Sequence, residues 1–354
     1  MTPYFLVYGW ILVASSLLYI KKIEYKKARN WFCALSFLAV FLLFALKHPF
    51  CGGDLRYGRI DGYPALFQKI TGYSWAEAIT VNMGNFERGY ILFNKLLSAF
   101  SKDNQFFLAA CALVCLLPVW YVIYTRSMQP DLSVYVFMGL PAFAMLFSGL
   151  RQAVAISLCA LALLWIIRKK PVWFLLTVGF AMTFHKSAAV FLVAYPVYHV
   201  KLNKPLRWCS CAVPALVYLF RQPLFTLAGK VYPAYAVPDY NGSYRLFAVF
   251  CLVYLFCCVF SDERKEICGL KNLFLIACCI QALAGMHSIV MRMGYYFTIP
   301  LVLLLPLVME TMQNRKLAAF FKVAVSCCFI VFGLYLLRSS SWARAYPYFA
   351  FWEW

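Results

Sequence analysis

Apolar runs separated by short charged turns recur along the whole chain, at about residues 3–20, 31–47, 104–124, 132–150, 151–167, 171–184, 187–200, 208–221, 244–260, 272–287, 291–309 and 317–337. At a rise of 1.5 Å per residue, about 20 apolar residues cross the ~30 Å hydrocarbon core of a bilayer. The pattern predicts an all-α polytopic membrane protein with about twelve membrane segments, some short or re-entrant, in a single transmembrane domain over 1–354. It leaves a main outer loop at 48–103 and a second outer loop at 222–243. Within the main loop, apolar residues at 86, 90, 93, 96, 97 and 100 keep helical spacing, which predicts a helix lying on the membrane. Glu87 near the start of that helix would suit its dipole.

Composition agrees with this class: 64% of residues are hydrophobic and 13% charged. The formal charge of +20 would suggest nucleic acid in a soluble protein. Here the basic residues are dispersed between spans, which predicts no nucleic-acid partner and fits the positive-inside rule and contact with anionic membrane lipid. The clusters Lys21/Lys22/Lys26/Lys27/Arg29, Arg126, Arg168/Lys169/Lys170, Lys201/Lys204/Arg207, Arg264/Lys265/Lys271 and Arg315/Lys316/Lys322 can all be put on the cytoplasmic face, with both termini outside. The start lacks a basic region and a small-residue cleavage site, so no cleavable signal peptide is expected. The fifteen cysteines lie mostly inside apolar runs and read as small packing residues; Cys51 falls outside, without an evident disulfide partner. No Cys/His spacing suits zinc, and neither a P-loop nor a dinucleotide fingerprint is present, so no metal and no cofactor are expected.

The pair 171–200 lies between two basic clusters, so the chain must go out and return within 30 residues. Each arm reaches only ~21 Å. Its turn, Phe184-His185-Lys186-Ser187, is therefore expected below the outer surface, inside a cavity, unless a thinned bilayer accommodates it. Arg151 and Gln152 fall between two apolar runs, where a guanidinium is costly unless it faces a cavity and finds a partner. Arg292 stands in a comparable outer turn. Any one such cation could merely snorkel; three turns together point to an anionic ligand bound from outside. In the main loop, Gly52-Gly53 permits a tight turn that brings Asp54 toward the membrane. The aromatic residues Tyr232, Tyr235 and Tyr240, and the tail Trp342–Trp354, read as sugar-stacking rings or, more simply, as an interfacial belt. Arg151 and Arg292 suit the charge that develops on a diphosphate leaving group; Asp54, Glu87 or His185 could be a general base.

The order Gly53-Asp54-x-x-Tyr57, Glu87-x-Gly89-Tyr90, Leu150-Arg151-Gln152-Ala153-Val154-Ala155, Phe184-His185-Lys186-Ser187-Ala188 and Arg292 with Tyr295-Tyr296-Phe297 resembles the EpsG-like family of exopolysaccharide polymerases over roughly residues 40–300. Each motif is short; five in order with compatible spacing are fairly specific. The resemblance implies a GT-C-like, Wzy-type glycosyltransferase of the bacterial inner membrane. Such an enzyme joins undecaprenyl-diphosphate-linked oligosaccharide repeat units of exopolysaccharide, capsule or O-antigen at the periplasmic or outer face. It carries site roles onto Asp54, Glu87, Arg151 and His185 as catalytic groups, and onto Tyr57, Gln152, Ser187 and Arg292 as substrate-binding groups. Lys47 departs from the family, which tends to have Arg there; losing the bidentate fork argues against a substrate role. Chain-length control would call for a regulator, and supply of repeat units for a flippase. The competing readings are an O-antigen-ligase-like glycan transferase, which would share the diphosphate site, and a lipid-linked oligosaccharide flippase or transporter. The latter predicts internal repeats that the sequence does not display.

Overall fold

The computed structural model describes residues 1–55, 62–84, 86–231, 237–238 and 244–353. Tyr57, Tyr232, Tyr235, Tyr240 and Trp354 lie outside the described residues. Among those described, secondary structure is helical, apart from one isolated antiparallel bridge between Lys47 and Ala350.

Six helices are long and apolar enough to cross a membrane: Thr2–Tyr19, Tyr25–Ala45, Asn104–Arg126, Leu150–Ile167, Lys265–Leu283 and Arg315–Ser339. Three bent pairs would raise the number to nine: Pro130–Gly139 with Pro141–Ser148, Lys204–Leu219 with Arg221–Lys230, and Ser288–Thr298 with Leu301–Thr311. The protein is thus all-helical, with six to nine candidate spans. Leu150–Ile167 is central, 72% buried and packed on Asn104–Arg126 and Pro171–Met182; Arg315–Ser339 is peripheral, 17% buried.

The run 132–150, expected as one segment, is broken by 61° at Leu140. Leu140 is extended (φ −83°, ψ 148°) because Pro141 disfavours helix at the residue before it and supplies no N–H to the ladder. A second break at Gly149 separates Ser148 from the helix that begins at Leu150. The 171–200 pair is short, as its length requires. Pro171–Met182 covers only ~18 Å, and the return consists of a 3-10 stretch, Lys186–Val193, followed by Ala194–His199.

In the main loop, Tyr63–Thr71 and Arg88–Ser98 pack together, joined through Trp75–Thr80, whose Ser74/Glu77 capping box fixes its start. Tyr90 and Leu97 are buried while Leu96 and Phe100 are exposed, so the helix expected over 86–100 does present two faces. Glu87 is its N-cap residue, but its carboxylate makes no cap; it goes elsewhere.

At the opposite end, several basic clusters meet. Arg29 donates to the Ile123 carbonyl at 3.3 Å, Arg126 pairs with Glu266 at 2.8 Å and Lys322 with Asp131 at 2.7 Å. Not all of these cations are solvated. Arg207 is buried against Asn272 Oδ1 (2.7 Å), and the Lys271 side chain is fully buried beside Ser261 and Glu263.

The C-terminal tail does more than line an interface. The His48 N–H donates to Phe349 O (2.8 Å), Phe351 N–H to Leu46 O (2.9 Å) and Gly53 N–H to Ala343 O (3.4 Å). Tyr4 donates to Ala345 O and Tyr348 to Leu43 O. Cys51 is buried there, and all fifteen cysteines are free.

Candidate functional site

Two glycine contacts shape the site. A Cβ on Gly53 would stand 2.1 Å from Trp342 O, so only glycine lets the first loop pass this closely beneath the tail. That approach brings the Asp54 N–H to Ser148 Oγ at 2.9 Å, three residues before Arg151. A Cβ on Gly89 would meet Thr183 Oγ1 at 2.2 Å, and Tyr90 N–H donates to Thr183 O (3.3 Å). This contact lays the start of the Arg88–Ser98 helix against the turn 183–186.

Glu87 therefore reaches both elements. Its Oε2 accepts from Arg151 Nη1 at 2.6 Å and its Oε1 from the Lys186 N–H at 3.1 Å. Arg151 Nε also lies 3.4 Å from Tyr63 Oη, and its guanidinium sits 4.5 Å from the Phe86 ring centroid. With side chains 18% and 8% exposed, Arg151 and Glu87 form a largely desolvated pair, in which losing either partner would strand a charge.

The second half of the site is a hydrogen-bonded chain. Tyr296 Oη lies 2.8 Å from Ser187 Oγ, which lies 2.6 Å from His185 Nδ1; the Ser187 N–H also donates to that nitrogen at 3.3 Å. Because Nδ1 accepts from the backbone, the proton of the neutral ring belongs on Nε2, and Ser187 donates to Nδ1 while accepting from Tyr296. The imidazole pKa is pushed down to about 4 by burial, against the pull of Glu87 and with the help of Arg151 and Arg292. His185, in the turn between two short helices, is thus a neutral hydrogen-bond donor near pH 7.

Gln152 Nε2 donates to the Arg292 carbonyl at 3.0 Å, tying the Leu150–Ile167 helix to Ser288–Thr298. Arg292 is half-buried and near enough to act on His185 electrostatically. The expected residues Glu87, Arg151, Gln152, His185, Ser187 and Arg292 are all brought together. Asp54 stands beside them through Ser148, and its charge is felt at Tyr63. Tyr57 lies outside the described residues.

Lys47 takes a different place. It is buried, and its Nζ donates to Leu146 O (3.3 Å) and Phe147 O (2.8 Å), the last carbonyls of the Pro141–Ser148 helix. An amine donor at a helix C-terminus satisfies orphan carbonyls. Lys47 holds the end of the helix that leads through Gly149 to Arg151. Tyr63 and Ser148 carried no sequence signal, being ordinary residues of a loop and an apolar run. Tyr296 stood inside a recognised element without a role. Among the described residues, no group of three or more His, Cys, Asp or Glu is placed to hold a metal ion.

The arrangement offers cations, a neutral imidazole donor and carboxylates at one end of the bundle, which suits an anionic substrate and a proton-transfer step. The sequence model of the EpsG family matches residues 49–350 and so takes in every residue of this site. No curated protein and no solved structure matches the chain.

Proposed function

The chain belongs to the EpsG family, and on that premise we propose that it is a polymerase of surface polysaccharide. It joins lipid-linked oligosaccharide repeat units by glycosyl transfer, with undecaprenyl diphosphate as the leaving group. In this reading it lies in the bacterial inner membrane with its site facing the periplasm or outside, in a GT-C-like bundle of about twelve segments. The membership supports a polymerase-type role; the observation that carries the chemistry is the largely desolvated Arg151–Glu87 pair beside His185.

An arriving diphosphate competes with Glu87 for Arg151, and Arg292 supplies a second cation as charge develops on the leaving oxygen. The neutral His185 donates a hydrogen bond from its Nε2–H to a phosphate oxygen and keeps its proton, while Ser187 and Tyr296 fix its tautomer. Asp54, or Glu87 once the diphosphate has drawn Arg151 from its Oε2, is the base that takes the proton from the acceptor hydroxyl. Gln152 and Ser187 position their neighbours.

The test is a gel of lipid-linked glycan after incubating purified protein with undecaprenyl-diphosphate repeat units from its source cell. Wild type should give a ladder, and Arg151→Ala should reduce it about 10²-fold or more. Equal ladders would overturn the site; one large transfer without a ladder would indicate a ligase, and movement of unaltered substrate into liposomes a transporter.

A further inference from the structure

A cavity of about 310 Å³ lies at the end of the molecule opposite Arg151, where the connections after Ser16, Arg126 and Thr311 converge. Its polar wall is built from Tyr19, Asp131, Arg315 and Lys322; Leu18 and Met309 belong to its apolar side. We propose that it binds the phosphate headgroup of an anionic phospholipid.

Three observations converge on this ligand. Lys322 is held in place rather than waving in solvent: its Nζ bonds Asp131 Oδ2 at 2.7 Å, and the Tyr19 hydroxyl donates to the same carboxylate at 2.8 Å. Asp131 is thereby fully occupied, its side chain 5% exposed, while Lys322 remains 21% exposed. Arg315 donates to the Glu310 carbonyl at 3.3 Å, has a loose ion pair with the Glu310 carboxylate at 3.7 Å, and is 72% exposed at the cavity rim. Two helices, Pro130–Gly139 and Arg315–Ser339, begin at the cavity and three end there, so the helix dipoles largely offset and the cations set its sign.

The surroundings carry the same sign. Lys21, Lys22, Lys26, Lys27, Arg29, Arg315, Lys316 and Lys322 stand against Glu24, Asp131 and Glu310 in the flanking segments. A lipid, rather than a free phosphate, is favoured by what continues from the apolar side. Arg315–Ser339 is the least covered span, and its Phe320 and Val323 are each 63% exposed, a surface along which an acyl chain can run. The end of the bundle richest in basic clusters is also the one expected to face the anionic leaflet.

Native mass spectrometry of the full chain in detergent tests this independently of catalysis, with dioleoyl phosphatidylglycerol and dioleoyl phosphatidylcholine as probes. Wild type should retain phosphatidylglycerol about tenfold better than phosphatidylcholine. Ala319→Trp, at an exposed position in the cavity wall, should abolish that preference. Arg315→Gln should weaken it about fivefold, the ratio for ~1 kcal/mol per basic residue near an anionic surface. If Ala319→Trp fails to fold, Arg315→Gln decides alone. Equal retention of the two lipids, unchanged retention in the variants, or displacement by millimolar inorganic phosphate would each overturn the assignment.

Discussion

Arg151 and Glu87 hold each other where neither could stand alone. Removing one side of such a pair costs about 3–5 kcal/mol when the partner stays charged and buried. Glu87→Ala should therefore lower thermal stability in detergent markedly, and Glu87→Ala/Arg151→Ala should recover part of the loss; additive losses would mean the two do not couple. Arg151→Lys keeps the charge but loses the planar fork, so glycan chain growth should fall about 10²-fold with folding intact. His185 gives a prediction in pH. Its pKa is lowered from 6.5 to about 4 in the folded protein, so the folded state binds fewer protons than the unfolded one. Its contribution is full above about 6.5 and is lost progressively as the pH falls toward about 4. Melting temperature measured between those values should decline less steeply in His185→Gln than in wild type. The charged members of this site were legible because charge is rare and expensive in apolar sequence. The hydroxyls of Tyr63, Ser148 and Tyr296 were not, because a hydroxyl declares its role only by what lies opposite.

Among the elements, the broken span from Pro130 to Ser148 governs the site's geometry. Apolar periodicity foretold the run but not the bend, since one proline in a continuous hydrophobic stretch changes direction without changing hydropathy. The same run ends on carbonyls that Lys47 satisfies. Lys47→Met should cost about 1–3 kcal/mol for stranded carbonyls and lower polymerisation beyond what the stability loss explains, because the helix that carries Arg151 begins at Leu150, two residues after that helix ends. A drop in melting temperature with unaltered turnover would make Lys47 purely structural. The short arms of 171–200 were readable from arithmetic alone, whereas the 3-10 character of Lys186–Val193 was not; it follows from the His185 cap and the Ser187 contacts.

For the molecule as a whole, the alternation of apolar runs and basic turns conveyed the membrane class and the clustering of cations at one end. The tail was the part least open to that reading: its partners lie some three hundred residues away, and no local pattern encodes such a pairing. Gly53→Ala would drive a methyl into Trp342 O, so it should cost about 1–3 kcal/mol and reduce chain growth by displacing Asp54. Normal melting and a normal ladder from that variant would show that the crossing relaxes without consequence.

The crossing of tail and first loop also sets a clock. His48, Gly53 and Tyr4 find their carbonyl partners only at residues 343–349. Until the ribosome has delivered those residues, the early segment bearing Asp54 has its Ser148 contact but lacks its tail partners, however well the first helices have already inserted. The Asp54 corner of the candidate site therefore matures last. A nascent chain stalled before residue 343 would be a helical bundle with Arg151, Glu87 and His185 in place but its Asp54 corner unanchored by the tail.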